Sequence, residues 1–217
     1  MPRPVILLCV ALACGWFAVA APSLSAQQPA VQQMNREYEI KAGYFAYFGS
    51  LISWPKTPFP GSDREFVIGI LGSNPFGQHL VATGSGYVLR AGAVKKDRIQ
   101  GKRIRVVHYR SVGDFQRNYQ PCHILFISRS SDVGAAESTA TRANAARVKT
   151  AGQPVLLVSD AASMNESAGL ARTGITICYW NDLATRQVKM FVNRKAEKQA
   201  RLAIRARLLA LQLVTVL

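Results

Sequence analysis

The sequence predicts an α/β fold: a single compact domain with a mainly parallel sheet, helices on both faces, and a C-terminal antiparallel hairpin followed by a helix. Three observations predict it. Unbroken apolar runs of strand length recur at 65–72, 123–129 and 154–160, as in parallel strands buried on both faces. Stretches of helical pattern separate these runs. Strands at 175–182 and 187–194 are joined by a few polar residues, which indicates a hairpin.

The N-terminus has the order of a secretory signal. Arg3 precedes an apolar run over 5–21, and small residues follow up to Ala26. This run is short for a membrane-spanning helix, which needs about 20 apolar residues. We therefore expect residues 1–26 to be a cleaved signal peptide, with a cut after Ala20 as the alternative.

After cleavage about 190 residues remain, enough for one domain with a substantial core. We expect residues 27–34 to be a disordered mature N-terminus and residues 35–217 to form the α/β domain. The formal net charge of the whole chain is +15, with dense basic stretches at 95–105 and 194–207. Such charge suits nucleic acid, an anionic membrane or an acidic partner, but a solvated surface is the simplest interpretation. Because we expect the chain to be exported and it carries no nucleic-acid motif, we expect no nucleic-acid partner.

The first domain element is an amphipathic helix over 35–55. Asn35 is a plausible N-cap, and Pro55 should end the helix near Ser53. Glu37 and Lys41 form an i,i+4 pair. Five apolar residues share one face, which is expected to face the core: Ile40, Tyr44, Tyr47, Phe48 and Leu51.

A strand, a glycine and a capped helix are predicted over 65–84. Ser73 or Asn74 would cap the helix and Pro75 would begin it. Free N–H groups at a helix start attract anions, but the glycines here match no phosphate-binding motif. A tight turn near Gly72 is the alternative to an anion site.

The later elements follow from periodicity. A half-exposed strand is predicted at 102–110, a short helix or turn at 112–119, an alanine-rich helix at 133–152, and a loop or short helix at 161–174. The last helix is expected over 195–214, with an apolar face of Leu202, Ala206, Leu209 and Leu213. A basic amphipathic helix can also lie on a membrane.

Candidate catalytic residues are few. Cys122 and His123 are neighbours on a strand, so their side chains point to opposite faces and cannot form a dyad. A dyad would need His79 or His108 brought in by the fold. Asp160 ends a predicted parallel strand, where such sheets bind ligands, although an Asp there is more often a cap or turn residue. No metal spacing and no serine elbow occurs, so we expect a non-catalytic protein without metal or cofactor.

Cys122 and Cys178 are the two cysteines of the expected mature chain. An exported chain permits a disulfide, but a bridge needs Cα atoms within about 7 Å. They are either buried free thiols or the halves of one disulfide.

Several segments together resemble the YfiR-like family of periplasmic regulatory proteins. They are the aromatic helix ending in Trp54-Pro55, VIGILGSNPFG, IQGKRIRVV, CHILFISRS, PVLLVSD and the late FVN, in the order seen in that family. The resemblance covers about residues 36–214. It implies a regulator that binds the periplasmic sensor region of an inner-membrane diguanylate cyclase and represses it, lowering cyclic-di-GMP and biofilm growth. It also implies a homodimer and an outer-membrane lipoprotein that sequesters the repressor.

The chain departs from the family in its cysteines and in one loop. Cys122 and Cys178 stand where relatives carry cysteine, but 66–71 and 161–173 have none, so a redox role transfers poorly. Relatives usually carry a loop with two adjacent glycines in the segment corresponding to 161–180, whereas this chain has GLARTGITIC there. The partner-binding candidates implied by the resemblance lie on the hairpin: Ile177, Tyr179, Met190 and Val192. The alternative is that these four side chains face the domain core and contact no partner. The alternative function is a periplasmic small-molecule-binding protein accessory to transport or sensing.

Overall fold

The computed structural model of the chain describes residues 27–56, 58–133 and 137–217. The expected signal peptide, 1–26, lies outside them. Among the described residues, no helix has the length and apolar character needed to cross a membrane.

A mixed sheet of eleven strands forms the centre of the described part. Its strands are β2 (Glu65–Leu71), β3 (Leu80–Thr83), β4 (Gly86–Ala91), β5 (Val94–Lys96), β6 (Arg98–Ile99), β7 (Lys102–Tyr109), β8 (Ile124–Ile127), β9 (Leu156–Asp160), β10 (Ile177–Asp182), β11 (Gln187–Val192) and β13 (Val214–Val216). They lie in the order β13-β11-β10-β9-β8-β2-β7-β4-β3, with β5 beside β4 and β6 beside β7. The five strands β7, β2, β8, β9 and β10 are mutually parallel, and β10 and β11 form the predicted hairpin. A separate antiparallel pair joins β1 (Ile52–Ser53) to β12 (Ala203–Ile204).

Helices cover both faces of the sheet, as predicted, and each face has its own apolar core. Helix α1 (Gln27–Leu51) and the C-terminal α6 (Ala206–Leu209) lie on one face. The other face carries α2 (Val112–Asn118), α3 (Thr139–Lys149) and α4 (Met164–Arg172). Helix α5 (Arg194–Gln199) follows the hairpin. Serine caps begin α2, α3 and α4, where Ser111, Ser138 and Ser163 accept backbone hydrogen bonds.

Helix α1 begins earlier than the sequence predicted. It starts at Gln27 rather than after Asn35, and so includes residues 27–34, which we expected to be disordered. The segment QQPAVQQM contains good helix formers. Pro29 lies in the first turn of the helix, where a backbone N–H has no intrahelical acceptor, so the missing N–H of proline costs no hydrogen bond.

Two predicted helices are wrong. After β2 the chain forms a 3-10 turn (Gly77–His79) and the β3–β4 hairpin, because Phe76 inserts fully into the core and Asn74 accepts a hydrogen bond from its N–H. The C-terminal stretch 195–214 is not one helix either. Arg201 adopts a positive φ of 54°, and the chain beyond it extends so that Leu202 and Ile204 are both buried. Tertiary burial here overrides helical periodicity.

Candidate interaction surface

A groove of about 970 Å³ follows the outer side of α1, between the β4–β5 hairpin and the segment 207–213; we refer to it as the α1 groove. Tyr47 is 57% exposed in it, Leu211 38% and Val94 36%. Its apolar lining comprises Ile40, Tyr44, Ala46, Tyr47, Leu51, Ala91, Val94, Leu208, Leu211 and Leu213. Contiguous exposed apolar surface with a polar edge is typical of binding sites.

Close contacts between α1 and the neighbouring strands and turns hold the hairpin side of the α1 groove in place. A Cβ on Gly43 would lie 3.2 Å from the Ala91 side chain, so the small residue lets the helix approach. Glu39 Oε1 accepts a hydrogen bond of 2.5 Å from the N–H of Gly92, at the hairpin turn. Further along, Gln100 Nε2 donates to the carbonyl of Gly49 at 2.9 Å. These contacts fix the width of the groove.

Charged and polar side chains form the edge of the α1 groove. Arg36, Lys96 and Arg207 outnumber the acidic Glu39. An aromatic and aliphatic centre with a polar rim is the usual composition of a protein interface. The excess of positive charge on the rim favours a partner with acidic residues flanking an apolar segment.

The stripe predicted to face the core does so at four of its five positions, because Tyr44 and Phe48 are buried in the core and Ile40 and Leu51 pack against it. Tyr47 is the exposed exception, and it lies in the groove. The core face of α1 also includes Tyr38, Ala42 and Phe45. Helix α1 is thus apolar over more of its circumference than the sheet can cover. Periodicity located the core-facing stripe but could not show that Tyr47 remains exposed at its edge.

The four partner-binding candidates on the hairpin are fully buried. Ile177 pairs with Val192 and Tyr179 with Met190, so all four share one face of the sheet and join the core beneath α1. The interpretation that they face the core is therefore correct, and no partner can contact them in this conformation.

A cluster of four buried or half-buried charges, which we call the ion cluster, joins α1 to the carboxyl ends of the parallel strands. Asp160 and Lys41 are inaccessible to solvent, and Lys41 Nζ lies 2.5 Å from Asp160 Oδ1 and contacts Glu37. Arg129 donates to both oxygens of Glu37, at 3.1 and 3.3 Å. Tyr38 donates to Asp160 Oδ2 at 2.6 Å. Two acids and two bases balance, as buried charges require.

The ion cluster occupies the edge where parallel sheets commonly bind ligands. Asp160 therefore anchors α1, and it is neither a helix cap nor an open ligand site. Burial, and next the nearby Asp160 carboxylate, raise the pKa of Tyr38, so its hydroxyl remains a hydrogen-bond donor. The sequence indicated the pair Glu37–Lys41 and the position of Asp160. Arg129 and Tyr38 were missed, since nothing local to them signals a partner on another element.

Cys122 and His123 lie on opposite faces of the sheet, as predicted. Cys122 belongs to the core under α2 and α3, whereas the His123 ring stacks on Phe66 with centroids 4.4 Å apart. Burial raises the pKa of Cys122 to about 12, and burial lowers the pKa of His123 to about 3. Thiol and imidazole are thus both neutral near pH 7, and this pair has no nucleophilic character.

Cys122 and Cys178 are buried free thiols. Strand β9 separates β10, which contains Cys178, from β8, which follows Cys122. Two strand spacings amount to roughly 10 Å, which exceeds the reach of a disulfide.

The turn at Gly72 is a tight turn and not an anion site. Gly72 has a φ of +97°, and a Cβ there would lie 3.0 Å from Nε of Arg142. The Arg142 guanidinium fills the space and donates to the carbonyls of Ser128 and Glu137. The α-helix whose free N–H groups would attract an anion is replaced here by the short 3-10 turn.

Comparison with known proteins supports the family resemblance seen in the sequence. A family model described as YfiR/HmsC-like matches residues 38–212, most of the chain. The chain belongs to the YfiR/HmsC-like family. No curated protein matches it.

Members of the YfiR/HmsC-like family are periplasmic proteins that regulate diguanylate cyclase, and the family is generally regulatory rather than catalytic. The part of α1 from residue 38 onward lies inside the matched range, as do both sides of the α1 groove up to Leu211. Among residues 27–56, 58–133 and 137–217, no three His, Cys, Asp or Glu side chains are grouped to hold a metal ion.

Proposed function

We propose that this YfiR/HmsC-like protein represses an inner-membrane diguanylate cyclase by binding the cyclase's periplasmic sensor region in the α1 groove. The observation that carries the proposal is the groove itself: an open apolar surface on a protein whose family regulates such enzymes. The hairpin residues first considered are buried, so the groove takes their place as the contact surface.

The chemistry of the groove defines the segment that it binds. An amphipathic helix or strand would place apolar side chains against Tyr47, Val94 and Leu211. Its acidic residues would lie near Arg36 and Lys96 on the rim. Tyrosine is over-represented among interface residues that dominate binding, and truncation of such a residue costs about 2 kcal/mol or more.

Repression follows from selective binding. A repressor that prefers the inactive sensor by about 100-fold shifts the cyclase equilibrium by about 2.7 kcal/mol. An outer-membrane lipoprotein that sequesters the repressor would reverse the shift by competing for it. The proposal includes the expected export signal, because the sensor region lies in the periplasm. It also includes homodimerisation, which the resemblance to the family implies.

The test replaces exposed groove side chains and measures cyclic-di-GMP in cells that carry the cyclase. Tyr47→Ser, Val94→Ser and Leu211→Ser combined should leave the protein folded yet unable to lower cyclic-di-GMP in a deletion strain. The matched control changes three exposed apolar residues outside the groove: Val148, Met164 and Leu183, each to Ser. Full repression by the groove variant, with normal pull-down of the sensor, would disprove the proposed surface.

A small-molecule ligand is the second candidate, favoured by the volume of the groove. About 970 Å³ lies at the upper end of the range for ligand pockets, roughly 300–1,000 Å³. Thermal-shift screening separates the two functions. An apolar ligand with micromolar affinity that is lost in the groove variant would favour this candidate, and no response across amino acids, nucleotides and aromatic acids would dismiss it.

A further inference from the structure

The edge of the sheet formed by β4, β5, β6 and β7 concentrates positive charge. Residues 86–105 contain seven Lys or Arg and one acidic residue, Asp97. Lys96 is exposed on the rim of the α1 groove. Four other cations of this stretch are exposed as well, and within the described ranges none of these four forms an ion pair: Arg90, Lys95, Arg98 and Arg103. We call these four residues the basic face.

Strand register places the members of the basic face in like-charged pairs. Arg90 lies directly opposite Lys95 in the β4–β5 pair, and Arg98 lies directly opposite Arg103 in the β6–β7 pair. Like charges at such positions destabilise a sheet. Glu65 lies beside Arg103 on the neighbouring strand but forms its ion pair with Arg105, at 2.7 Å.

All four cations project from the same side of the sheet. Leu89 and Ile104 are buried beneath α1, so Arg90 and Arg103, each adjacent in sequence to one of them, point away from that helix. Their cross-strand partners share this side. The basic face is therefore an array spread over adjoining strands on one side of the sheet, and not a set of groups converging on one point.

We propose that the basic face binds the surface of an anionic phospholipid bilayer. An array of unpaired cations spread along one side of the sheet complements a layer of phosphate headgroups, whereas a small phosphate ligand would need convergent donors. The internal repulsion between Arg98 and Arg103, and between Arg90 and Lys95, is relieved when headgroup phosphates lie over the strands. Because the α1 groove opens on the opposite side of the same sheet, bilayer binding leaves the groove free. The inference stands independently of the proposed cyclase partner.

The experiment measures co-sedimentation of the full mature protein with phosphatidylcholine vesicles that contain or lack phosphatidylglycerol. Each basic residue near an anionic surface contributes about fivefold in affinity. Replacing all four basic-face residues with Gln should thus weaken binding several-hundred-fold. Binding should also fall steeply between about 0.15 M and about 1 M salt. The variant should fold and melt slightly above the wild type, since both like-charge pairs are removed.

The matched control removes four other exposed cations, each replaced by Gln: Arg147, Arg172, Lys195 and Lys198. It should bind phosphatidylglycerol vesicles within about threefold of the wild type. Equal loss in both variants would show that only net charge matters, and wild-type binding by the basic-face variant would also overturn the proposal. So would equal binding to neutral vesicles, or displacement by millimolar inorganic phosphate, which would indicate a discrete anion site.

Discussion

The middle of helix α1 and the segment just beyond its C-terminal end lie over opposite ends of the parallel strands, and they bury titratable groups in different ways. At its middle, α1 places Lys41 and Glu37 against Asp160, the last residue of β9, and these groups are paired. Beyond its end, Trp54 donates to the carbonyl of His123, which immediately precedes β8. No acid contacts the His123 ring among the described residues, and the ring packs between Phe66 and Phe59.

The difference shows two solutions to one constraint. A buried titratable group is either paired with an opposite charge or becomes neutral, because burial without a partner disfavours the charged form. In the ion cluster the charges are paired. His123 is instead neutral: its Nδ1 accepts a hydrogen bond of 3.0 Å from the N–H of Val67, and burial lowers its pKa to about 3.

Removing one charge from the ion cluster should have the largest effect. Asp160→Ala leaves Lys41 without one of its two carboxylate partners, in a site that water does not reach. We expect the free energy of unfolding to fall by about 3–5 kcal/mol, measured by chemical denaturation. The control is Asp63→Ala, whose carboxylate is 74% exposed and should matter by less than about 0.5 kcal/mol.

A double substitution sharpens this test. Lys41→Met with Asp160→Leu removes one charge of each sign and leaves the pair Glu37–Arg129 intact. Because apolar replacements for a buried ion pair are often neutral or stabilising, we expect it to regain most of the stability lost in Asp160→Ala. An equal or greater loss would mean that packing around Asp160, and not an unpaired charge, dominates.

The site beyond the end of α1, at His123, should show a pH dependence of opposite origin. His123 binds a proton in the unfolded state below its usual pKa of 6.5, but in the folded state only near 3. Between these values the unfolded state holds more protons, so stability is lost as the pH falls. The loss from pH 7 to pH 5 should be about 2 kcal/mol.

Denaturation curves of the wild type and His123→Asn, compared at the two pH values, isolate this contribution. Asn can retain an acceptor for the Val67 N–H. NMR titration of the His123 ring gives a direct reading, with no protonation expected down to about pH 4. Parallel stability profiles in the two proteins, or a ring that titrates near 6.5, would contradict the account.

The sequence predicted the elements that local pattern determines. Unbroken apolar runs located β2, β8 and β9, and short polar links located the β10–β11 hairpin. It failed where distant contacts decide: Phe76 fills the core and prevents the helix expected after Pro75, and Leu202 with Ile204 extends a chain whose periodicity is helical.

The candidate surface was harder to predict than the fold. Tyr47 belongs to a stripe that looks like core in the sequence, and its exposure depends on how α1 rotates against β4 and the C-terminal segment. Tyr179 has an equally good pattern for an exposed hairpin residue, yet it is buried under Tyr44 and Phe48. Amphipathic periodicity identifies faces, but only the packing of distant elements decides which face remains open.

The smallest effect is expected at Cys122, which extends the comparison to the other face of the sheet. Burial raises its pKa to about 12, and burial raises the pKa of Cys178 as well, so neither thiol forms a thiolate near pH 8. The folded protein should resist aromatic disulfide reagents for hours, whereas the unfolded protein should react at once at both thiols. Dithiothreitol should leave the melting temperature unchanged. A structural disulfide is worth about 2–5 kcal/mol, so a reductant-induced drop of several degrees would reveal one and refute the placement of these thiols on separated strands.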